Sequence, residues 1–230
     1  NNVENIRYQD EVGRILLDII QTVPNGVLVF FPSYSLMNKL YKRWENTGLI
    51  NRMKMYKKAV LQEPNGSGSA SEFSYVMEEY FNTIESCPQN GAVLLAVCRG
   101  KVSEGIDFAD EQARAVVTIG IPFPHLADAQ VILKKKYNDG KNSANSNANL
   151  LPGSRWYEIQ AFRAINQAFG RCIRHLNDWG AIILIDSRLN NPRYKQLLSK
   201  WIRNYLKYYQ NFDEMHESLK GFIDEKRFNC

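Results

Sequence analysis

Cysteine is scarce in this 230-residue sequence: Cys87, Cys98, Cys172 and Cys230 are the only four, and no two form a Cys-x-x-Cys pair. That spacing indicates neither a zinc site nor a disulfide framework, so a reducing compartment is expected. No apolar run comes near the roughly 20 residues that a helix needs to cross a bilayer, and a membrane partner is not expected. The opening stretch NNVENIRYQD has neither an initiator Met nor a signal-peptide core, so the chain is expected to be a piece of something longer. Two nucleotide motifs are also missing. Without a full G-x-x-x-x-G-K-[ST] there is no self-contained phosphate loop, and without G-x-G-x-x-G after the first strand a Rossmann-type enzyme is disfavoured. No predicted strand ends in an Asp-Glu pair, the usual Mg²⁺ holder, and no metal site is expected in this chain.

What is present suits one globular domain. Hydrophobic residues make up 44% of the chain, ample for a buried core. Lys and Arg exceed Asp and Glu by 29 to 24, and the net charge of +5 favours anionic partners without demanding them. Apolar residues at Val12, Ile15, Leu16 and Ile19 follow helical spacing and predict a one-faced helix ended by Asn25 and Gly26. The short run GVLVFF predicts a strand covered on both faces. The alternation then repeats: a helix over 36–44, a strand at KAVLQ, a helix over 71–84, strands at AVLLAV and AVVTIGI, and a helix over 127–137. A polar loop at 139–153, expected to be mobile, leads to a long helix holding NQAFGRCIRH, the strand GAIILID, and two helical segments from Tyr194 onward. Strands alternating with helices predict an α/β fold with a mostly parallel sheet and helices on both faces.

In such sheets ligands gather beyond the carboxyl ends of the strands, which singles out three segments. On a helix, Arg163, Gln167, Arg171 and Arg174 of the long segment fall within about 80° of arc. Ala164, Ala168 and Gly170 beside them would let another surface approach, and a mid-helix glycine costs roughly 1 kcal/mol relative to alanine. Such a stripe is either a solvated face or a phosphate clamp of planar, permanently charged forks. In CRGKVSEGIDF, Lys101 and Ser103 could hold a phosphate, Gly100 and Gly105 allow tight turns, and Asp107 could accept a ribose hydroxyl; the bland alternative is a polar turn. In FPSYS, Ser33, Tyr34 and Ser35 stand at a helix start, where a serine either caps the helix or helps bind a backbone phosphate. His125 reads as structural or solvent-facing, Lys134 to Lys136 as a solvated helix end, and Cys98 and Cys172 as core. Tyr205, Tyr208 and Tyr209 follow helical spacing and are expected to pack.

Together VLVFFPSYS, CRGKVSEGIDF and QAFGRCIRH, in this order, closely resemble motifs IV, V and VI of superfamily 2 DNA helicases of the iron–sulfur group. ARAVVTIGIPFP, WYEIQAFRA and NDWGAIILID extend the resemblance over roughly 26–193. It implies a three-layer RecA-like fold, the second of two motor domains. The resemblance places Arg171 and Arg174 at the γ-phosphate, Arg174 as arginine finger, with Gln167 nearby. Gly105, Asp107 and Gly170 would lie at the nucleotide, while Ser33, Tyr34, Lys101 and Ser103 would face single-stranded or forked DNA. ATP and Mg²⁺ would be shared with the first RecA-like domain, and a [4Fe–4S] cluster would belong to that other half. The resemblance further implies a nuclear protein with repair proteins as possible partners, and a fragment inactive by itself. The alternative is a noncatalytic nucleic-acid or protein-binding module, which intact Gln167, Arg171 and Arg174 disfavour.

Overall fold

The computed structural model describes residues 2–65, 68–144, 150–175 and 177–228. Five strands, β1 (Val27–Phe31), β2 (Ala59–Gln62), β3 (Ala92–Val97), β4 (Ala115–Ile119) and β5 (Ala181–Ile185), form one sheet in the order β2-β3-β1-β4-β5. Every pairing is parallel, with Val27 opposite Val93 on one side and Ala115 on the other. Central β1 is apolar throughout because its side chains alternate between two cores. Val27, Val29 and Phe31 enter one with Leu16, Ile20, Leu40 and Trp44, while Leu28 and Phe30 enter the other with Tyr80, Phe162, Ile165 and Phe169.

The first core is covered by α1 (Ile6–Thr22), α2 (Tyr34–Asn46), α3 (Leu49–Met53) and the late helix α10 (Phe212–Phe228). The second lies under α4 (Ala70–Ser86), the short α5 (Lys101–Gly105) and α7 (Gly153–Phe169). α6 (Ala129–Ala144) pairs with α7, and α8 (Pro192–Lys195) and α9 (Lys200–Arg203) follow β5. Helices on both faces of a parallel sheet are the three layers that the alternation predicts.

Four expectations need correction. The long helix stops at Phe169: Gly170 is its cap, and the amides of Arg171 and Cys172 bond to carbonyls three rather than four residues back. Gly170 therefore sits at a helix end with φ −62°, and Arg171 and Arg174 lie beyond the helix. Ala164 and Ala168 are buried, so these small side chains bring α7 close to its own sheet rather than admitting another surface. The polar stretch from Asp139 is not loop throughout, because it begins as helix through Ala144. Asn138 and Asn142 donate to the carbonyls of Leu151 and Leu150, and Asp139 accepts from the Gly153 amide. The middle of that loop, 145–149, lies outside the described residues, as do Leu176 and Cys230. After β5 three helices form, α8, α9 and α10, with no helix across 206–209.

Lys57 is buried just before β2. Its ammonium donates to the carbonyls of Val23 and Asn25, each at 2.7 Å, and so closes the end of α1. Burial, with Arg227 adding repulsion, pulls its pKa from 10.5 down to about 7. The folded chain releases this proton near neutrality, while the unfolded chain keeps it to about 10.5. Through Lys57 the unfolded state thus binds more protons across that window, and this residue's contribution to stability rises with pH between about 7 and 10.5. The urea midpoint of the parent minus that of Lys57→Met should therefore increase with pH across that range.

Candidate functional site

The carboxyl ends of all five strands lie along one rim, and polar side chains stitch their loops together there. Glu63, directly after β2, is buried; its Oε2 accepts from the Val97 amide at 2.8 Å and its Oε1 from the Val102 amide at 3.1 Å. The Lys101 amide and the Tyr34 hydroxyl also point at this carboxylate. One side chain thereby joins the loops after β1, β2 and β3. Burial raises the Glu63 pKa, opposed by these donors, and Tyr34 is pushed up to about 12, first by burial and then by the Glu63 charge. The fit explains Gly100: a Cβ there would lie 2.5 Å from Glu63 Oε1. Sequence reasoning missed Glu63, which opens a stretch that reads only as a flexible connection. A lone carboxylate at a strand end was its one signal.

The arginines after α7 reach across to the loop after β3. Arg171 donates through Nε to the Ser103 carbonyl at 3.0 Å and through Nη1 to that of Ile106 at 2.6 Å. Arg174 pairs with Asp107 and donates from Nε to the Phe108 carbonyl at 3.3 Å. The two motifs thus form one unit, with Arg171 half-buried and its pKa lowered by desolvation. Asp178 fixes the turn that carries Arg174. It accepts from the amides of Arg174 and Trp179 at 2.9 and 2.8 Å, and from buried Arg114 at 2.9 Å. Arg114 lies 4.4 Å over the Trp179 ring. Neither Arg114 nor Asp178 stands out by residue type; only their burial together reveals the brace.

The remaining residues divide by what they already touch. Ser33 caps α2, accepting from the Leu36 amide at 3.3 Å, and Ser35 is exposed beside it. Ser103 is fully buried and its hydroxyl donates to the Gly100 carbonyl at 3.0 Å. Lys101 is exposed at the rim, its ammonium 5.4 Å from the Phe73 ring centre. Gly105 is exposed with open space around it. Arg163 and Gln167 are exposed on α7 and make no side-chain hydrogen bond among the described residues, so they stay available to a ligand beside the Arg171 and Arg174 turn.

An iron–sulfur cluster does not fit the cysteines described. Cys98 and Cys172 are buried, and burial pushes both thiols up to about 12, far from the thiolate that binds iron. Among the described residues the only grouping of three possible metal ligands is Asp110, His175 and Asp178, and Asp178 is already committed to Arg114 and two amides. Nucleotide phosphates suit the site better, since the forked guanidiniums of Arg171 and Arg174 converge on the loop that carries exposed Lys101.

Two glycines separate packing from ligand approach. Gly100→Ala should cost about 1–3 kcal/mol through overpacking against Glu63, whereas Gly105→Ala should stay within about 0.5 kcal/mol. Urea unfolding with unchanged m-values checks both.

The helicase C-terminal domain family matches residues 16–205. The Fanconi anemia group J protein homolog of Gallus gallus is 51% identical over 229 residues, which is 98% of this chain and 18% of that protein. The regulator of telomere elongation helicase 1 homolog of Aedes aegypti is 44% identical over 224 residues, 96% of this chain and 22% of that protein. The chain thus spans about a fifth of the length of these curated relatives. Among solved structures, an XPD helicase aligns with TM-score 0.58 and 25% identity over 84% of this chain and 30% of that one.

Proposed function

This chain belongs to the helicase C-terminal domain family, and on that premise we propose that it is the second RecA-like motor domain of an ATP-dependent DNA helicase. The observation that carries the proposal is the joining of Arg171 and Arg174 to the loop of Lys101 to Phe108, beside exposed Gln167. A motor needs its phosphate sensor and its strand contacts to move as one body, and this junction supplies that coupling mechanically.

In this reading Arg171 is the fixed member. Its two carbonyl bonds hold the turn in place, and its positive charge lies at the nucleotide edge. Arg174 is the responsive member: its fork would exchange the Asp107 carboxylate for a γ-phosphate, since guanidinium recognises both in the same planar way. Gln167 would hydrogen-bond at the same phosphate, with Gly105, Asp107 and Gly170 lining the approach. ATP with Mg²⁺, held mainly by a first motor domain, would supply the phosphoryl-transfer chemistry. The exposed Lys101 ammonium and the helix start at Ser33 and Tyr34 would meet a single-stranded or forked DNA backbone. Buried Ser103 would contribute by shaping the α5 turn, because its hydroxyl already has a partner. Nuclear location and repair-protein partners belong to the same proposal and rest on the resemblance alone.

With a first motor domain added, Arg174→Ala should lower DNA-stimulated ATP hydrolysis by about a thousandfold or more while strand binding persists. The chain alone should show no turnover. Robust ATPase activity in the pure chain, or an unchanged rate for Arg174→Ala, would rule the half-motor reading out.

A further inference from the structure

The segment after β5 has an unusual balance of charge and aromaticity. From Arg193 to Tyr209 it holds five Lys or Arg, five aromatic residues and no acid. Arg193 is paired with Glu158 of α7, but the other four cations make no ion pair among the described residues. The helical spacing of Tyr205, Tyr208 and Tyr209 predicts packing, and only Tyr209 fits, half-buried with its hydroxyl 2.7 Å from Ser218 Oγ. Tyr205 is 83% exposed, Tyr208 47% and Trp201 42%. Trp201 lies in α9, and the chain unwinds after that helix, so no helix face exists to bury Tyr205 and Tyr208.

These rings stand on a fixed base. Leu198 and Ile202 are buried in the core that also holds Phe162 and Phe169. Asn166 of α7 donates to the Leu197 carbonyl at 3.0 Å and accepts from the Ser199 amide at 2.9 Å. Asn166 directly precedes Gln167, so the segment runs beside the motif-bearing edge of α7. It leaves β5 at the rim that holds the loops after β1 and β3, three strand intervals from β3, or about 15 Å at the usual sheet spacing, and then runs back along α7 as far as Asn166.

A protein partner covering this face would have to desolvate four unpaired cations, which is costly without matching acids. A single nucleic-acid strand instead places phosphates by the cations and unpaired bases on the rings. Lys195, already 5.5 Å from the Tyr208 ring centre, shows how charge and ring can act together. We propose that Trp201, Tyr205 and Tyr208, with Lys195, Lys200 and Lys207, form a base-stacking surface that extends the strand path from the Lys101 loop past β5. The proposal shares the single-strand substrate of the motor reading but rests on its own residues.

The test is the anisotropy of a fluorescent oligo-dT titrated with this chain across a range of salt. Tyr205→Ala and Trp201→Ala should each weaken binding about tenfold without changing the salt slope, and Trp201→Phe should retain most of the affinity. Replacing Lys200 and Lys207 by Gln should flatten the slope by about 0.7 per charge. Thermal midpoints near the parent value would show that these exposed sites have not unfolded the chain. Full affinity in a Tyr205→Ala/Tyr208→Ala double variant, with Lys101→Ala still weakening binding, would overturn the stacking surface and leave the motor reading intact. No oligo-dT binding by the parent chain would overturn the stacking surface as well, and would count against the strand contacts of the motor reading.

Discussion

A parallel strand cannot be joined to its neighbour by a tight turn, and the rest of this structure depends on that constraint. Each connection must cross a face of the sheet, so helices cover both sides and all five strands finish at one rim. The loops after β1, β2 and β3 are far apart in sequence but adjacent in space. Glu63 uses that adjacency, while Arg171 and Arg174 reach the loop after β3 from the turn between α7 and β5.

Loops at both ends of the sheet are ordered by charged side chains that bond to backbone groups those loops cannot satisfy themselves. Glu63 takes amides from the start of α5, Arg171 takes carbonyls from its end, and Asp178 takes amides from the turn bearing Arg174. Charge-assisted bonds of this kind are stronger than neutral ones, and losing one partner leaves a buried group unsatisfied. Arg171 and Glu63 therefore act on the same five-residue helix from opposite ends. In the proposed motor reading, a displacement of one motif would be transmitted to the other through this helix.

The architecture was largely legible in the sequence, because apolar runs of five or six residues separated by helical periodicity have few other solutions. GVLVFF reads as a covered strand and AVLLAV as a strand, and both strands are buried throughout. The end of α7 was not legible. Projecting Gln167, Arg171 and Arg174 onto one helix placed them on a stripe, but the backbone switches its bonding at Gly170 and carries both arginines away from the axis. They still converge on one loop, through tertiary reach rather than helical phase. The tyrosines near 205 failed for the same reason: periodicity implied a buried face, and the helix was absent.

By itself the sequence determined the fold class, the order of the elements and the residue types available at each strand end. Hydrophobic period and turn chemistry are local properties, and three ordered motifs carried the family. Only the tertiary structure decided which polar groups are already committed. Ser103 is sealed against Gly100, Lys57 lies under α1, Glu63 binds three loops, and Gln167 and Tyr205 stay open to solvent. Burial and pairing depend on residues distant in the chain, so the pattern along the sequence could name the functional side chains but not tell which of them are free to act.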